Sequence, residues 1–146
     1  MSVIVQGESF DPGAALTDFS NRIQGAGAMV SFTGFVRDVP AGLLALEIEH
    51  YAAMTKRALD DIEQQAISRW HLSGSLIIHR FGSLKPDDII MMVATAAEHR
   101  KAAFEAAEFM MDYLKSRAPF WKKESTRQGD EWVVAKTADE EALKRW

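Results

Sequence analysis

Two lysines, Lys115 and Lys122, flank a proline and a pair of large rings in the segment Met111-Met-Asp-Tyr-Leu-Lys-Ser-Arg-Ala-Pro-Phe-Trp-Lys-Lys-Glu124. A solvated lysine, with a pKa of about 10.4, is a poor proton acceptor at neutral pH, whereas one partly desolvated beside a second cation titrates much lower. Such an amine can act as a general acid or base. Lysines near a helix C-terminus also complement the helix dipole and need do nothing more. Three features favour chemistry here. At 100° per residue Lys115 shares a helical stripe with Arg100, Phe104, Glu108 and Met111. The bend that Pro119 imposes can fold Lys122 back toward Lys115, and Phe120-Trp121 supplies a wall against water.

The charge distribution points to a small anion. The 146 residues carry a net charge of -4, which argues against a nucleic-acid binder. From His99 to Arg127, however, seven basic residues (Arg100, Lys101, Lys115, Arg117, Lys122, Lys123, Arg127) face four acids (Glu105, Glu108, Asp112, Glu124), a local excess of +3 in a chain whose remainder is -7. Within this window His99-Arg100, close to a helix start, could hold an anion through side chains and free backbone N-H groups. Arg37, at the end of an apolar strand, is a further candidate, although Asp38 could simply neutralise it.

Cysteine is absent, which excludes disulfides, thiolate-zinc sites and a cysteine nucleophile. Any sulfur in the chemistry must be brought in. The four histidines form no HExxH pattern, so no metal or other cofactor is assigned. Gly25-Ala-Gly27 lacks the third glycine and the strand-loop-helix context of a phosphate loop and reads as a helix terminator and turn. His79 reads as a packing residue at a strand end, and Trp121 is the tryptophan expected beside a site. No signal peptide is recognisable and no run approaches the roughly 20 apolar residues of a membrane span. A cytoplasmic protein with no membrane association is expected.

The elements that must position these residues follow from periodicity. Asp11-Pro12 starts a helix with Ala15, Leu16, Phe19 and Ile23 on its apolar stripe, ending near Gly25. Ala28 to Arg37 and Leu44 to Tyr51 alternate as strands, the latter with Leu44, Leu46 and Ile48 inward. Thr55 to Trp70 is an amphipathic helix. Ser75 to Phe81 and Asp88 to Thr95 are strands joined by the turn-rich connector Gly82 to Asp87. A helix from about Glu98 to Arg117 must stop before Pro119. Glu131 to Ala135 forms a last strand, and Thr137-Ala-Asp-Glu140 has capping-box spacing for a terminal helix. Strands and helices without regular βαβ alternation give an α+β fold with a largely antiparallel sheet in one domain, residues 1–146.

Five segments in this order and spacing, Phe32-Thr-Gly-Phe-Val-Arg-Asp38, Leu46-Glu-Ile-Glu-His-Tyr51, His79-Arg-Phe-Gly82, Glu98-His-Arg-Lys-Ala-Ala-Phe104 and Leu114-Lys-Ser-Arg-Ala-Pro-Phe-Trp-Lys-Lys-Glu124, cover nearly the whole chain. Together they resemble the large, catalytic subunit family of molybdopterin synthase. The resemblance implies an α/β-hammerhead fold and a homodimer within a heterotetramer. It also implies a small ubiquitin-like sulfur-carrier subunit whose C-terminal Gly-Gly thiocarboxylate delivers sulfur. Two deliveries convert precursor Z, a cyclic pyranopterin monophosphate, into the dithiolene of molybdopterin. By position, Lys115 and Lys122 match the active-site lysines and Arg37, His99 and Arg100 the anion-binding set, with His99 and Arg100 reaching across the dimer. Phe32, Met111 and Glu124 match pocket-lining or supporting positions. Phe35 and Pro86-Asp87 depart from the family pattern, the latter where a glycine is frequent. Competing readings are a non-catalytic adaptor for a ubiquitin-like partner, which would bind without turnover, and a small-anion sensor.

Overall fold

The computed structural model describes residues 1–134 and 136–146. In chain order the elements are β1 (Ser2–Gln6), α1 (Pro12–Arg22), β2 (Ala28–Phe35), β3 (Leu43–His50), α2 (Ala52–Trp70), β4 (Gly74–Arg80), β5 (Gly82–Leu84), β6 (Ile89–Ala97), α3 (Arg100–Ser116), β7 (Phe120–Thr126), β8 (Gly129–Trp132) and α4 (Thr137–Ala142), with a closing 3-10 turn at Leu143–Arg145. They form two four-stranded sheets, β1-β4-β6-β2 and β5-β3-β7-β8. Among the described residues only the β1–β4 pair is parallel. The α+β class with largely antiparallel pairing is therefore the one adopted.

Strands β4 and β6 are apolar on both faces because helices cover both sides of the first sheet. Phe19 of α1 packs with Leu76, Ile78, Met92 and Ala94 on one side. On the other, Leu59, Ile62 and Ala66 of α2 and Ala103, Ala106, Phe109 and Met110 of α3 close over Ile77 and Val93. The second sheet has a smaller core of Val36, Leu43, Ile48 and Leu84. Phe120 touches both cores and joins the two sheets.

Local chemistry sets the ends of the elements. Asp11 Oδ1 accepts from the backbone N-H of Gly13 and Ala14 at 2.9 and 3.2 Å, capping α1 with Pro12 in its first turn. Gly27 lies so close to Glu98 that a Cβ would fall 2.2 Å from its carbonyl oxygen, which ties the start of β2 to the β6–α3 turn. In the β5–β6 turn Asp87 takes φ +73°, so an aspartate occupies the left-handed position that glycine would fill without strain.

Several boundaries differ from the sequence reading. Helix α2 starts at Ala52, three residues ahead of Thr55. The connector after β4 contains a strand, β5, because Gly82 at φ +95° lets the chain reverse and pair with β3. An irregularity between Leu43 and Ala45 shifts the inward phase of β3, so Leu43 is buried and Leu44 exposed. Strand β2 ends at Phe35, two residues short of Arg37. Thr137 is already helical and Lys136 takes the cap position without a side-chain bond, so the capping box does not form. The last strand is Gly129–Trp132; of the expected 131–135 span, Ala135 lies outside the described residues. Among the described residues no helix is long and apolar enough to cross a membrane.

One buried carboxyl makes stability depend on pH. Glu63 of α2 accepts a hydrogen bond from Ser75 Oγ at 2.5 Å, and burial raises its pKa above the ordinary 4.5, against the opposing pull of that bond and of the chain's amino terminus. The folded state thus binds this proton more tightly than the unfolded state. Stability falls as pH rises above about 4.5, until the folded-state group has ionised as well. Glu63→Gln keeps the shape without the charge and is expected to flatten this decline. Urea unfolding across the acid-to-neutral range checks it, and an unchanged slope would contradict the assignment.

Candidate active site

Alternation along β7 decides which side chains turn inward. Phe120, Lys122 and Glu124 share the face of their β3 partners His50, Ile48 and Leu46, of which Ile48 is fully buried. Trp121 and Lys123 take the opposite face. The Lys123 ammonium lies 5.6 Å over the ring of Trp132, so Lys122 is the inward lysine of the pair. Trp121 meets Tyr51 edge-on at 5.2 Å and is 43% exposed. The expected Phe120-Trp121 wall is therefore Phe120 alone, because adjacent strand residues cannot face the same way.

Behind Phe120 stands His79, whose ring stacks on it at 3.9 Å with 14° between planes. His50, bonded to Thr55 Oγ1 at 3.0 Å, lies 5.8 Å from Phe120 on another side. His79 Nδ1 donates to the Arg80 carbonyl at 2.8 Å, which fixes the proton on that nitrogen. Burial and then the charge of Lys122 push the imidazole down to about 3, so it is neutral at physiological pH. Lys122 itself is pushed down to about 8, first by burial and then by the charge of Lys115, with Asp139 pulling the other way. Near pH 8 about half of these amines carry no proton.

Lys115 occupies the last turn of α3 and is exposed. Its stripe is not the buried one: Arg100, Phe104 and Glu108 face outward, and the buried face is Ala103, Ala106, Ala107, Phe109, Met110 and Leu114. The alanines let the helix lie close on the sheet, and that contact leaves Phe104 60% exposed despite its size. Only Met111 of the stripe is partly buried, packed on the main core one turn before Lys115.

Arg37 follows Val36, which belongs to the small core that Phe120 contacts, so it stands at the lysine end. Asp38 does not neutralise it. Its Oδ1 accepts from the N-H groups of Leu43 and Val39 at 2.7 and 2.8 Å, and these bonds hold the carboxyl below its ordinary 3.8. His99 and Arg100 lie elsewhere. They begin α3, and the helical rise separates Arg100 from Lys115 by roughly 22 Å. His99 is solvated beside Glu98, with Nε2 3.5 Å from its carboxylate. Phe32 sits midway along edge strand β2 opposite Val93 and is 44% exposed. One chain thus gathers Lys115, Lys122, Glu124, Met111 and Arg37 at one end and leaves His99, Arg100 and Phe32 outside.

Two contributors were not foreseen. His79 is a packing residue, as expected, yet what it packs is the wall beside Lys122. The C-terminal segment also borders the site: Val133 N-H donates to the Lys122 carbonyl at 2.7 Å and Glu140 pairs with Arg117 at 2.9 Å. No local pattern marks either; the pairing of His79 with Phe120 spans strands of different sheets.

Comparison with known proteins gives this arrangement its relatives. The family described as MoaE protein matches residues 5–117. A molybdopterin synthase catalytic subunit from Cereibacter sphaeroides is 60% identical over 146 residues, the full length of both chains. The chain belongs to the MoaE family. Its fold follows that of the molybdopterin biosynthesis MoaE protein from Burkholderia ambifaria, at TM-score 0.84 and 46% identity over 100% of this chain and 98% of that one. A more distant structure, the complex of subunits 1 and 2 of molybdopterin-converting factor from Helicobacter pylori, shares the fold at TM-score 0.76 and 20% identity, covering 92% and 90%. The MoaE architecture expected from the sequence, with its α+β hammerhead character, is the one found.

Because Lys115 lowers Lys122, Lys115→Ala is expected to raise the Lys122 titration midpoint above about 8. Amine acylation of Lys122 followed by mass spectrometry across pH reads that midpoint. A value unmoved by the substitution would show that the two ammonium groups do not interact.

Proposed function

We propose that this chain is the catalytic subunit of a cytoplasmic molybdopterin synthase, a sulfurtransferase that converts precursor Z to molybdopterin. The observation that carries the proposal is Lys122: an amine turned inward behind Phe120, close enough to neutrality to move protons, in a positively charged end of the molecule. Sulfur arrives on the C-terminal thiocarboxylate of a small ubiquitin-like subunit, as a chain without cysteine requires. Lys115, exposed at the helix end, faces the incoming thiocarboxylate. Lys122 exchanges protons with the pterin side chain as sulfur attacks it. Arg37, with its neighbouring Asp38 committed to the backbone, is available for the phosphate. Met111 and Glu124 support the pocket around the two amines.

His99 and Arg100 join this site from a second copy. Strand β2 is a sheet edge whose apolar side chains, Phe32 and Phe35, are exposed, as is Phe104 of α3. If two β2 edges meet antiparallel about a two-fold axis, the start of one strand lies beside the end of the other. That apposition carries the partner's helix start, with its His99 and Arg100 positions, toward Arg37 and the lysines. Each copy acts as one domain, and a small subunit on each outer end completes a heterotetramer. The Helicobacter pylori relative's assembly of two subunit types is in keeping with this.

Incubation of the protein with thiocarboxylated small subunit and precursor Z should yield dithiolene. Lys122→Ala or Lys115→Ala should reduce the yield at least a hundredfold while leaving the fold and small-subunit binding intact. Small-subunit binding by the unaltered protein with no dithiolene would instead establish an adaptor. Mixing Lys122→Ala with Arg100→Ala subunits tests the shared site. Random reassortment restores one intact site in half of the dimers, so activity should return to about a quarter of the unaltered level. No recovery on mixing, with subunit exchange verified, would place Arg100 outside the partner's site.

A further inference from the structure

We propose that His79 is a positioning residue for the reaction: it is the flat platform on which Phe120 rests, and through Phe120 it keeps water from the amine of Lys122. The inference rests on the reading of Lys122 as the acid-base group and adds what holds it.

The platform is rigid by construction. His79 is 4% exposed and lies on β4, an interior strand paired on both sides and covered on both faces. Its ring is pinned at Nδ1 by the Arg80 carbonyl. Arg80 is itself fixed, donating from Nε and Nη2 to the Gly7 carbonyl at 3.2 and 3.1 Å and from Nη1 to the Ile89 carbonyl at 3.1 Å. Stacking at 3.9 Å and 14° transmits that rigidity to Phe120 in the second sheet. Two residues further along the same face of β7 is Lys122. A displacement of Phe120 therefore changes how much water reaches the amine.

Charge completes the case. The groups facing Lys122 and His79 come from four elements: Lys115 of α3, His50 of β3, Asp139 of α4, and Lys122 itself on β7. Two of these are ammonium groups. A protonated platform would add a third cation at the reacting end, whereas a neutral aromatic ring adds bulk without charge. An aliphatic side chain would lack the flat surface that orients Phe120.

The test reads the Lys122 titration midpoint by pH-dependent amine acylation and mass spectrometry on the full chain, without substrate or partner. His79→Phe keeps a flat ring and should keep the midpoint near the unaltered value. His79→Gln and Phe120→Leu remove one ring or the other, and each should raise the midpoint by about one pH unit or more as water enters. The pH limb of dithiolene formation should move with it. A midpoint unmoved in both His79→Gln and Phe120→Leu overturns the proposal, as does His79→Phe shifting as far as His79→Gln. Should His79→Gln fail to fold, Phe120→Leu and His79→Phe decide by the same criteria. Because acylation needs no turnover, a shifted midpoint in a protein that makes no dithiolene would refute the sulfurtransferase reading and leave the platform standing.

Discussion

Phe120 belongs to two cores at once, and the placement of Lys115 and Lys122 depends on that double contact. Its ring closes the edge of the large core under α2 and α3 and the edge of the small core of the second sheet. Burying such a ring on both sides sets the phase of β7, since one inward residue fixes every second one after it. Pro119 ends the helical path just before it, and the Phe120 N-H donates to the Ala118 carbonyl at 2.8 Å across the turn. The chain thus leaves α3 and enters β7 in a single tight step. Lys115 and Lys122 consequently end on either side of that step, near enough for the charge of Lys115 to act on Lys122.

This proximity opposes folding. Two ammonium groups repel, and partial burial of one of them removes hydration that water would provide. The compensation is apolar and aromatic: the stack of Phe120 on His79, the nearby His50 and Phe81 rings, and the Ile48 side chain beneath. The repulsion at the lysine end is thus offset in the packing next to it. The same geometry explains why His79 is uncharged, because a buried imidazole between a carbonyl and two cations has no room for another proton.

The other constraint is the alanine face of α3. Ala103, Ala106 and Ala107 permit close approach to the sheet, and the helix then runs straight back from the end of β6. Its first and last turns must lie at opposite ends of the molecule. One chain therefore holds His99 and Arg100 at one end of α3 and Lys115 at the other. Edge strand β2 leaves Phe32 and Phe35 exposed.

Much of the architecture was legible in the residues. Asp11-Pro12, the Pro119 stop and the apolar runs of β4 and β6 are local signals, since capping, ring closure and two-sided burial act over a few residues. The lysine pair was legible too, and the resemblance favoured Lys122 over Lys123; strand β7, whose alternation turns Lys122 inward, was not read from the residues, because its inward phase is set by pairing with β3. Strand β5 and the inward phase of β3 were not: the first depends on a left-handed Gly82 and the second on a bulge, and each is fixed by the partner strand. The outward stripe of α3 was misjudged for a related reason. Helical periodicity names the residues that share a face, but the sheet chooses which face is covered, and it chose the alanines over Phe104. The sequence by itself determined which residue types could move protons and bind an anion. Only the tertiary structure decided which of them stand together, because the contacts that gather Lys115, Lys122, His79 and Phe120 join segments far apart in the chain.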